Sequence, residues 1–337
     1  MMPICNRLIL TAVLGSLVLA ISGPGASAQY NAGQDTGDLT GRSAQGPSGM
    51  AGLQRSRFGR FGALGASRQP RQDTSAESSP DVKIQKDVAY GSLPKQNMDI
   101  YIPAKLSRPA PILMFVHGGG WEIGDKKQHG DKGFTYPKNG IILVSVNYRL
   151  APDAMHPKQV EDVAAAFAWL KKHAAELGGN PDKMYIMGHS AGAQLVDLLG
   201  TNERFLKEQG LSLKDVKGVI SLDTASLELN DRLAEGSTEA KLVEPMILKA
   251  FGSDPKVLTD GSPLDAIHSG QTYPPFLMFC GSQRLTCVAQ HKKFSQALKQ
   301  VGGTVTVKSV PLSHREINLE AGQADTDMFK EILAMIR

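Results

Sequence analysis

The sequence predicts an α/β fold in which a mostly parallel sheet of eight strands carries helices on both faces. Short apolar runs rich in Val, Ile, Leu, Met and Phe alternate with longer helical patterns from Asp81 onward. The apolar runs are nearly continuous, as expected for strands that are buried on both faces. The alternation stops between Leu222 and Tyr273. This interruption predicts an insertion between the sixth and seventh strands that forms a lid or a pocket wall.

The first two strands alternate polar and apolar residues like an antiparallel edge, whereas the next six are short buried runs. The predicted strands cover residues 82–89, 98–102, 111–116, 141–146, 184–187, 216–222, 276–280 and 304–310. The clearest helix covers residues 157–177, because its apolar residues recur at helical spacing and a Gly-Gly pair follows it. Further helices are predicted at residues 191–205, 288–301 and 325–336.

The first 80 residues are expected to lie outside the folded domain. Arg7 precedes an apolar run at residues 8–21, which is too short for a bilayer span of ~20 residues. Ala-Ser-Ala at 26–28 completes the pattern of a signal peptide cut after Ala28. Residues 29–80 are rich in Gly, Ser, Ala, Gln and Arg without a sustained period, so we expect a disordered linker. The organisation is therefore signal peptide 1–28, linker 29–80 and one domain 81–337, in a secreted or periplasmic protein.

Composition and charge narrow the choice of partners. The chain has 41% hydrophobic and 21% charged residues, which is typical of a soluble globular protein. Its 37 Lys and Arg against 33 Asp and Glu leave a net charge of +4. This is too near balance for a protein that binds nucleic acid or a membrane by charge. We expect a small molecule or a protein as the partner, no nucleic acid and no stable membrane insertion; the oligomeric state is open.

The strongest chemical signal is the G-x-S-x-G sequence at residues 188–192. It lies between the strand predicted at 184–187 and the helix predicted to begin near Ala191. A strained strand-to-helix turn projects a serine oxygen from the sheet edge, and its neighbours must be small because the backbone passes close. The motif predicts that Ser190 is a nucleophile.

A glycine run, HGGGW at residues 117–121, directly follows the third predicted strand. Glycines at such a place let backbone N–H groups face a developing oxyanion. The expected donors of this oxyanion hole are the N–H groups of Gly118, Gly119 and Ala191. Trp121 ends the run and either lines the substrate pocket or packs in the core.

Three stretches resemble the α/β-hydrolase superfamily, and within it esterases of the hormone-sensitive-lipase and carboxylesterase type. They are HGGGW at 117–121, YRLAP at 148–152 and GHSAG at 188–192, and the resemblance covers about residues 82–337. It implies the α/β-hydrolase fold and a carboxylic-ester hydrolase that works through an acyl-enzyme intermediate. It also implies a triad in the chain order Ser, acid, His, with no metal or organic cofactor. The sequence shows no C-x-x-C or H-E-x-x-H spacing of metal ligands.

The base must follow Ser190 in this chain order, which leaves His268, His291 and His314. His268 lies in the insertion. His291 lies on a helix rich in Lys and Gln, where we expect it to face solvent. His314 follows the last strand, where the resemblance places the base, and it is therefore the predicted base.

The acid departs from the usual pattern. Many relatives carry an aspartate after the seventh strand, as in H-G-x-x-D, but residues 280–284 read CGSQR and put Arg284 at that position. Some lipases of the superfamily carry the acid after the sixth strand in a G-L-D-P-A stretch, and this chain has SLDTA at 221–225. We therefore expect Asp223 to be the acid. Its alternative role is a turn cap, and Asp254 and Asp265 in the insertion are weaker candidates.

Two further features are open from the sequence. Cys280 and Cys287 form a disulfide if the compartment is oxidising, or Cys280 is a buried thiol at a strand end. Asp197, on the helix after the nucleophile, is either a buried polar side chain or part of a solvated face.

The sequence as a whole predicts a serine esterase that cleaves a small-molecule or polysaccharide-linked ester. An amide or formamide hydrolase of kynurenine-formamidase type is an alternative, because that type resembles the same motifs. A catalytically impaired binding protein is another, because the usual acid is missing. Nothing in the sequence selects an acyl-chain length, since the pocket depends on the insertion.

Overall fold

The computed structural model describes residues 79–337 of the chain. The predicted signal peptide, and the linker up to residue 78, lie outside the described residues. Within them, eight strands form one sheet: β1 (Val82–Ala89), β2 (Asn97–Pro103), β3 (Ala110–Val116), β4 (Ile142–Val146), β5 (Gly179–His189), β6 (Gly218–Leu222), β7 (Phe276–Gly281) and β8 (Val305–Val310). Their order in the sheet is β1-β2-β4-β3-β5-β6-β7-β8. Only the pairs β1–β2 and β2–β4 are antiparallel in this part of the chain. The predicted fold class is confirmed.

Ten α-helices and two short 3-10 helices, Lys126–His129 and Leu213–Asp215, connect and cover the strands in the described region. The α-helices are numbered in chain order. They are α1 (Lys132–Lys138), α2 (Lys158–His173), α3 (Ala191–Thr201), α4 (Arg204–Lys207), α5 (Leu229–Ala234), α6 (Thr238–Phe251), α7 (Pro255–Asp260), α8 (Leu285–Gln300), α9 (His314–Glu320) and α10 (Asp327–Ile336). Across residues 79–337, none of them combines the length and the apolar character that a membrane span requires.

The sheet is buried on both faces, and β3 shows why its sequence is a continuous apolar run. Ile112, Met114 and Val116 belong to one core cluster, together with side chains of α2, α3 and α8. Leu113 and Phe115, which point to the other face, belong to a second cluster with side chains of α9 and α10. Because successive residues of a strand face opposite sides, both sets must be apolar.

Helix boundaries differ from the prediction where polar side chains redirect the backbone. The helix predicted at 191–205 ends at Thr201, because Asn202 has extended dihedral angles. Its Oδ1 accepts a hydrogen bond from the N–H of Arg204 at 3.2 Å, which starts the separate helix α4. Local side-chain bonds of this kind compete with helix continuation.

The insertion between β6 and β7 is helical, since it contains α5, α6 and α7. Ser237 caps α6 by accepting a hydrogen bond from the N–H of Ala240. A Cβ atom on Gly120 would lie 2.3 Å from Sδ of Met246, so α6 packs directly against the glycine run at 117–121. The insertion therefore forms a wall beside that run.

The parallel strands end along one edge of the sheet. Gly188 of β5 pairs with Ser221 of β6, and Leu222 of β6 pairs with Phe279 of β7. The residues that follow these strands are therefore neighbours in space. This edge is the carboxyl end of the sheet, where α/β proteins bind their ligands.

Candidate active site

Ser190 occupies a strained turn between β5 and α3. Its φ of 56° and ψ of −118° lie in a region that residues other than glycine seldom adopt. The glycines around it are required by contact: a Cβ on Gly188 would lie 2.2 Å from the carbonyl oxygen of Gly192, and one on Gly192 would lie 2.3 Å from that of Val116. The predicted strand–serine–helix turn is therefore present, with its serine held at the carboxyl edge of the sheet.

The glycine run lies directly against this serine. A Cβ on Gly118 would lie 3.0 Å from Cβ of Ser190, and Gly119 has a φ of +117° that favours glycine. Among residues 79–337, the N–H groups of Gly118, Gly119 and Ala191 donate to no backbone acceptor. The structure thus brings together the three predicted oxyanion donors and Ser190.

His314 is paired with Asp223. The imidazole Nδ1–H donates to Oδ2 of Asp223 at 2.5 Å. His314 is the first residue of α9, whose capping box joins Ser313 and Glu316. Asp223 follows β6 with a φ of 50°, and its side chain has no exposed surface. The acid predicted from the sixth strand therefore reaches the predicted base.

Donors surround the Asp223 carboxylate. The N–H of Gly281 donates to Oδ1 at 2.9 Å, and Nη1 of Arg284 donates to Oδ2 at 2.6 Å. Burial opposes ionisation of this carboxyl group, but the hydrogen bond from His314 and the charge of Arg284 outweigh it and hold the pKa of Asp223 well below its usual range. Asp223 is therefore ionised at neutral pH, as a triad acid must be.

His314, the predicted base, lies on the side of Ser190, the predicted nucleophile, without a direct hydrogen bond to it. In the described region, no hydrogen bond joins Oγ of Ser190 to the His314 imidazole. His189, which precedes the serine, stacks on His314 with ring centroids 4.5 Å apart, and its Nε2–H donates to the carbonyl oxygen of His314 at 3.0 Å. Burial lowers the pKa of His189 to about 3, so this contact is made by a neutral imidazole. Catalytic hydrogen bonds often close only when substrate binds.

The partners of Asp223 are not evident from the sequence. Arg284 stands where many relatives carry the acid, and here its guanidinium contacts the acid supplied by β6. On its other side, Nε of Arg284 donates to Oε1 of Glu239 at 2.9 Å. The absence of a carboxylate after β7 was the visible signal for a changed site, but the partner of the arginine depends on tertiary structure.

The disulfide considered for Cys280 and Cys287 is not formed, since both are free buried thiols in the structure. Sγ of Cys287 lies instead 3.5 Å from Oδ1 of Asp223 and 3.5 Å from Nδ1 of His291. A hydrogen-bonding contact between the thiols lowers the pKa of Cys280 and raises that of Cys287.

Three other sequence expectations change. Trp121 is 1% exposed and its indole N–H donates to Oε1 of Gln194 at 2.9 Å, so it packs in the core rather than lining an open pocket. His291 is fully buried, and the solvent-facing position predicted for it is wrong. Asp197 is buried and accepts a hydrogen bond from Ser221 at 2.7 Å, so it is a buried polar side chain rather than part of a solvated face.

The remaining candidates for base and acid do not contact the site. His268 is exposed and bonds to the neighbouring carbonyl group of Ser269. Asp254 caps α7 by accepting a hydrogen bond from the N–H of Lys256. Asp265 is also exposed.

Comparison with protein families gives a match over most of the domain. The family model called BD-FAE matches residues 98–298, a stretch that runs from β2 into α8 and includes Ser190 and Asp223. The chain belongs to the BD-FAE family. His314 lies beyond the part of this BD-FAE chain that the model matches.

Curated relatives of this BD-FAE member carry esterase names. It is 25% identical over 260 residues to a probable isoprenylcysteine alpha-carbonyl methylesterase of Arabidopsis thaliana, which covers 73% of this chain and 52% of that protein. It is 30% identical over 251 residues to esterase LipQ of Mycobacterium tuberculosis, which covers 70% of this chain and 58% of that protein. The chain thus spans little more than half the length of these relatives.

Solved structures share the fold of this BD-FAE member. Esterase B of Lactobacillus rhamnosis superimposes with a TM-score of 0.64 at 21% identity, covering 77% of this chain and 85% of that one. A truncated carbohydrate esterase from gut microbiota gives a TM-score of 0.63 at 20% identity, covering 77% and 97%. At these identities the likeness shows the α/β-hydrolase fold.

Proposed function

We propose that the protein hydrolyses carboxylic esters through an acyl-enzyme intermediate on Ser190. The observation that carries the proposal is the hydrogen bond between His314 and the buried, ionised Asp223, which lies beside a serine on a strained turn. An ionised acid at Nδ1 fixes the tautomer in which Nε2 has a free lone pair. That nitrogen is the group that removes a proton from the serine.

The residues perform the reaction in two halves. Ser190 Oγ attacks the ester carbonyl while His314 takes its proton, and the N–H groups of Gly118, Gly119 and Ala191 stabilise the oxyanion. The intermediate collapses, the C–O bond to the alcohol breaks, and His314 returns the proton to the departing oxygen. Water then attacks the acyl-serine by the same route, which releases the carboxylic acid and restores the hydroxyl group.

The position of Asp223 also bears on the alternative of an impaired binding protein. That alternative arose because no carboxylate follows β7, where Arg284 stands. Since Asp223 contacts His314 at 2.5 Å, the reason for expecting an impaired triad is removed. The esterase names of the curated relatives support the same choice.

A fluorophosphonate probe and chromogenic esters test the proposal. The full chain should be labelled and should hydrolyse p-nitrophenyl esters, and Ser190→Ala should abolish both. Ser107→Ala, which changes an exposed serine far along the chain from the motif, is the matched control and should behave as wild type. A series from acetate to palmitate would define the acyl length. No labelling of the wild type, or faster cleavage of N-formyl amides than of acetyl esters, would overturn the proposal.

We further propose that the chain is exported and acts on a small-molecule or polysaccharide-linked ester. The apolar run at 8–21 and the Ala-Ser-Ala at 26–28 support export. N-terminal sequencing of the protein from the periplasm or medium should find Gln29 as the first residue. An uncut N-terminus would contradict the assigned cleavage.

A further inference from the structure

Arg284 ends the loop between β7 and α8, and its guanidinium lies between two carboxylates. On one side, Nη1 donates to Oδ2 of Asp223 at 2.6 Å and lies 3.4 Å from the carbonyl oxygen of the same residue. On the other side, Nε and Nη2 both lie 2.9 Å from Oε1 of Glu239. The side chain is 19% exposed, so most of it is shielded from solvent. A planar guanidinium suits this arrangement, because its donors point in fixed directions along two edges.

The second carboxylate extends the contact into the insertion. Glu239 lies in the first turn of α6, and its Oε1 is 3.0 Å from Nη2 of Arg232, a side chain that is 2% exposed. Arg232 belongs to α5, which precedes α6 in the insertion. Positive and negative side chains therefore alternate along one chain of contacts. Arg232 of α5 contacts Glu239 of α6, and Glu239 contacts Arg284. Arg284 in turn contacts Asp223, which accepts a hydrogen bond from His314.

We infer that Arg284 is a positioning residue that fixes the Asp223 carboxylate for His314 and ties the α6 wall to the triad. The inference rests on the proposed ester hydrolysis. Asp223 comes from β6 and must direct Oδ2 toward a histidine that follows β8. Arg284 bonds to the same oxygen as His314, whereas the N–H of Gly281 holds the other oxygen. Rotation of the carboxylate would break these bonds together.

Arg284 also contacts the histidine of the pair. Its Nη1 lies 3.4 Å from Nδ1 of His314. The guanidinium therefore touches both side chains whose relative position it fixes.

The test compares kcat and KM of full-length variants for p-nitrophenyl acetate at neutral pH. Arg284→Gln should lower kcat roughly tenfold to a hundredfold with little change in KM, because a misplaced acid misplaces the base. Arg284→Lys keeps the charge, but an ammonium group cannot bridge both carboxylates in the same way. It should lower kcat only several-fold, again with little change in KM.

Two further variants complete the test. Glu239→Gln should lower kcat several-fold with little change in KM, because it weakens the contact between Arg284 and α6. Arg204→Gln is the matched control, since Arg204 pairs with Asp260 outside the site, and it should stay within twofold of wild type. Melting temperatures check that each variant is folded.

The outcomes separate the inference from the proposed function. A wild-type chain without hydrolysis that depends on Ser190 would refute the esterase proposal itself. With an active wild type, a folded Arg284→Gln variant whose kcat matches wild type, or whose loss lies in KM alone, overturns only the inference. If Arg284→Gln does not fold, full kcat in Arg284→Lys overturns it in the same way.

Discussion

Replacing Asp223 by asparagine tests the least expected part of the site. The two carboxylate oxygens accept bonds from Nδ1–H of His314, Nη1–H of Arg284 and the N–H of Gly281, and the Cys287 thiol lies 3.5 Å from Oδ1. An asparagine offers one acceptor oxygen, so its amide NH₂ must face at least one of these donors. No rotation of the side chain satisfies all of them.

Each orientation of the amide has its own penalty. With the NH₂ toward His314, the ring must accept at Nδ1, which puts the proton on Nε2 and prevents it from taking the Ser190 proton. With the NH₂ toward Gly281, a buried N–H loses its acceptor at about 1–3 kcal/mol, and no negative charge stabilises the imidazolium. We expect kcat to fall about 10⁴-fold, which corresponds to about 5 kcal/mol in activation free energy.

The assay is steady-state hydrolysis of p-nitrophenyl acetate, with far-UV circular dichroism to confirm folding. Asp197→Asn is the matched control, because burial raises the pKa of Asp197 to about 8 and its neutral form resembles an amide. The Asp197 carboxyl group accepts a hydrogen bond from Ser221, and an amide oxygen can accept it too. The kcat of Asp197→Asn should therefore stay within about threefold of wild type. Activity of Asp223→Asn within tenfold of wild type would refute the triad assignment. If kcat fell equally in Asp197→Asn, the loss of activity would not be specific to Asp223.

Three further predictions concern stability. Gly192→Ala puts a Cβ 2.3 Å from the carbonyl oxygen that ends β3, and should cost at least about 2 kcal/mol in urea unfolding. Gly210→Ala isolates the cost of backbone strain, because Gly210 has a φ of +72° and nothing within 4 Å; a loss in Gly192→Ala no larger than in Gly210→Ala would contradict the prediction. Burial lowers the pKa of Lys132 from 10.5 to about 7, so above pH 7 the unfolded chain binds a proton that the folded chain lacks. Wild type should therefore gain about 2 kcal/mol relative to Lys132→Met between pH 7 and 9, and parallel pH curves would refute it. Trp121→Phe removes the donor to Gln194 and should lower the free energy of unfolding by about 2 kcal/mol while KM stays within twofold; a large change in KM would restore a role in the pocket.

Strands and the nucleophile turn were accessible to sequence reasoning because their signals are local. Each parallel strand is an apolar run of a few residues, and G-x-S-x-G encodes a backbone path that only small neighbours allow. Helix α9 was missed although its signal was present. Ser313 and Glu316 form a capping box, and the two polar residues at this spacing mark a helix start directly at His314.

His291 lies on a helix that the sequence predicts, but on its buried face rather than on the expected solvent-exposed face. Its neighbours on the chain are Gln290 and Lys292, which suggested a solvated surface. Yet Cys287, His291, Phe294 and Leu298 recur at spacings of three and four residues and form the buried stripe of α8. This helical periodicity indicates a buried position for His291, whereas the polar residues next to it in the chain favour an exposed one. The contact between Arg284 and Asp223 is different in kind, since no local pattern joins residues 61 positions apart.

The position of the proposed acid after the sixth strand, rather than after the seventh, is compatible with the order of the strands. β6 and β7 are neighbours in the sheet, about 4.8 Å apart, so a side chain at the end of one can cover the end of the other. The N–H of Gly281, the last residue of β7, donates to Oδ1 of Asp223, which places the carboxylate over the end of β7. A left-handed φ of 50° at Asp223 turns the chain so that its side chain crosses that distance. An acid that followed β7 would compete for the same space. A cation at that position instead binds the carboxylate that extends from β6, so Arg284 and the proposed acid Asp223 belong to one arrangement.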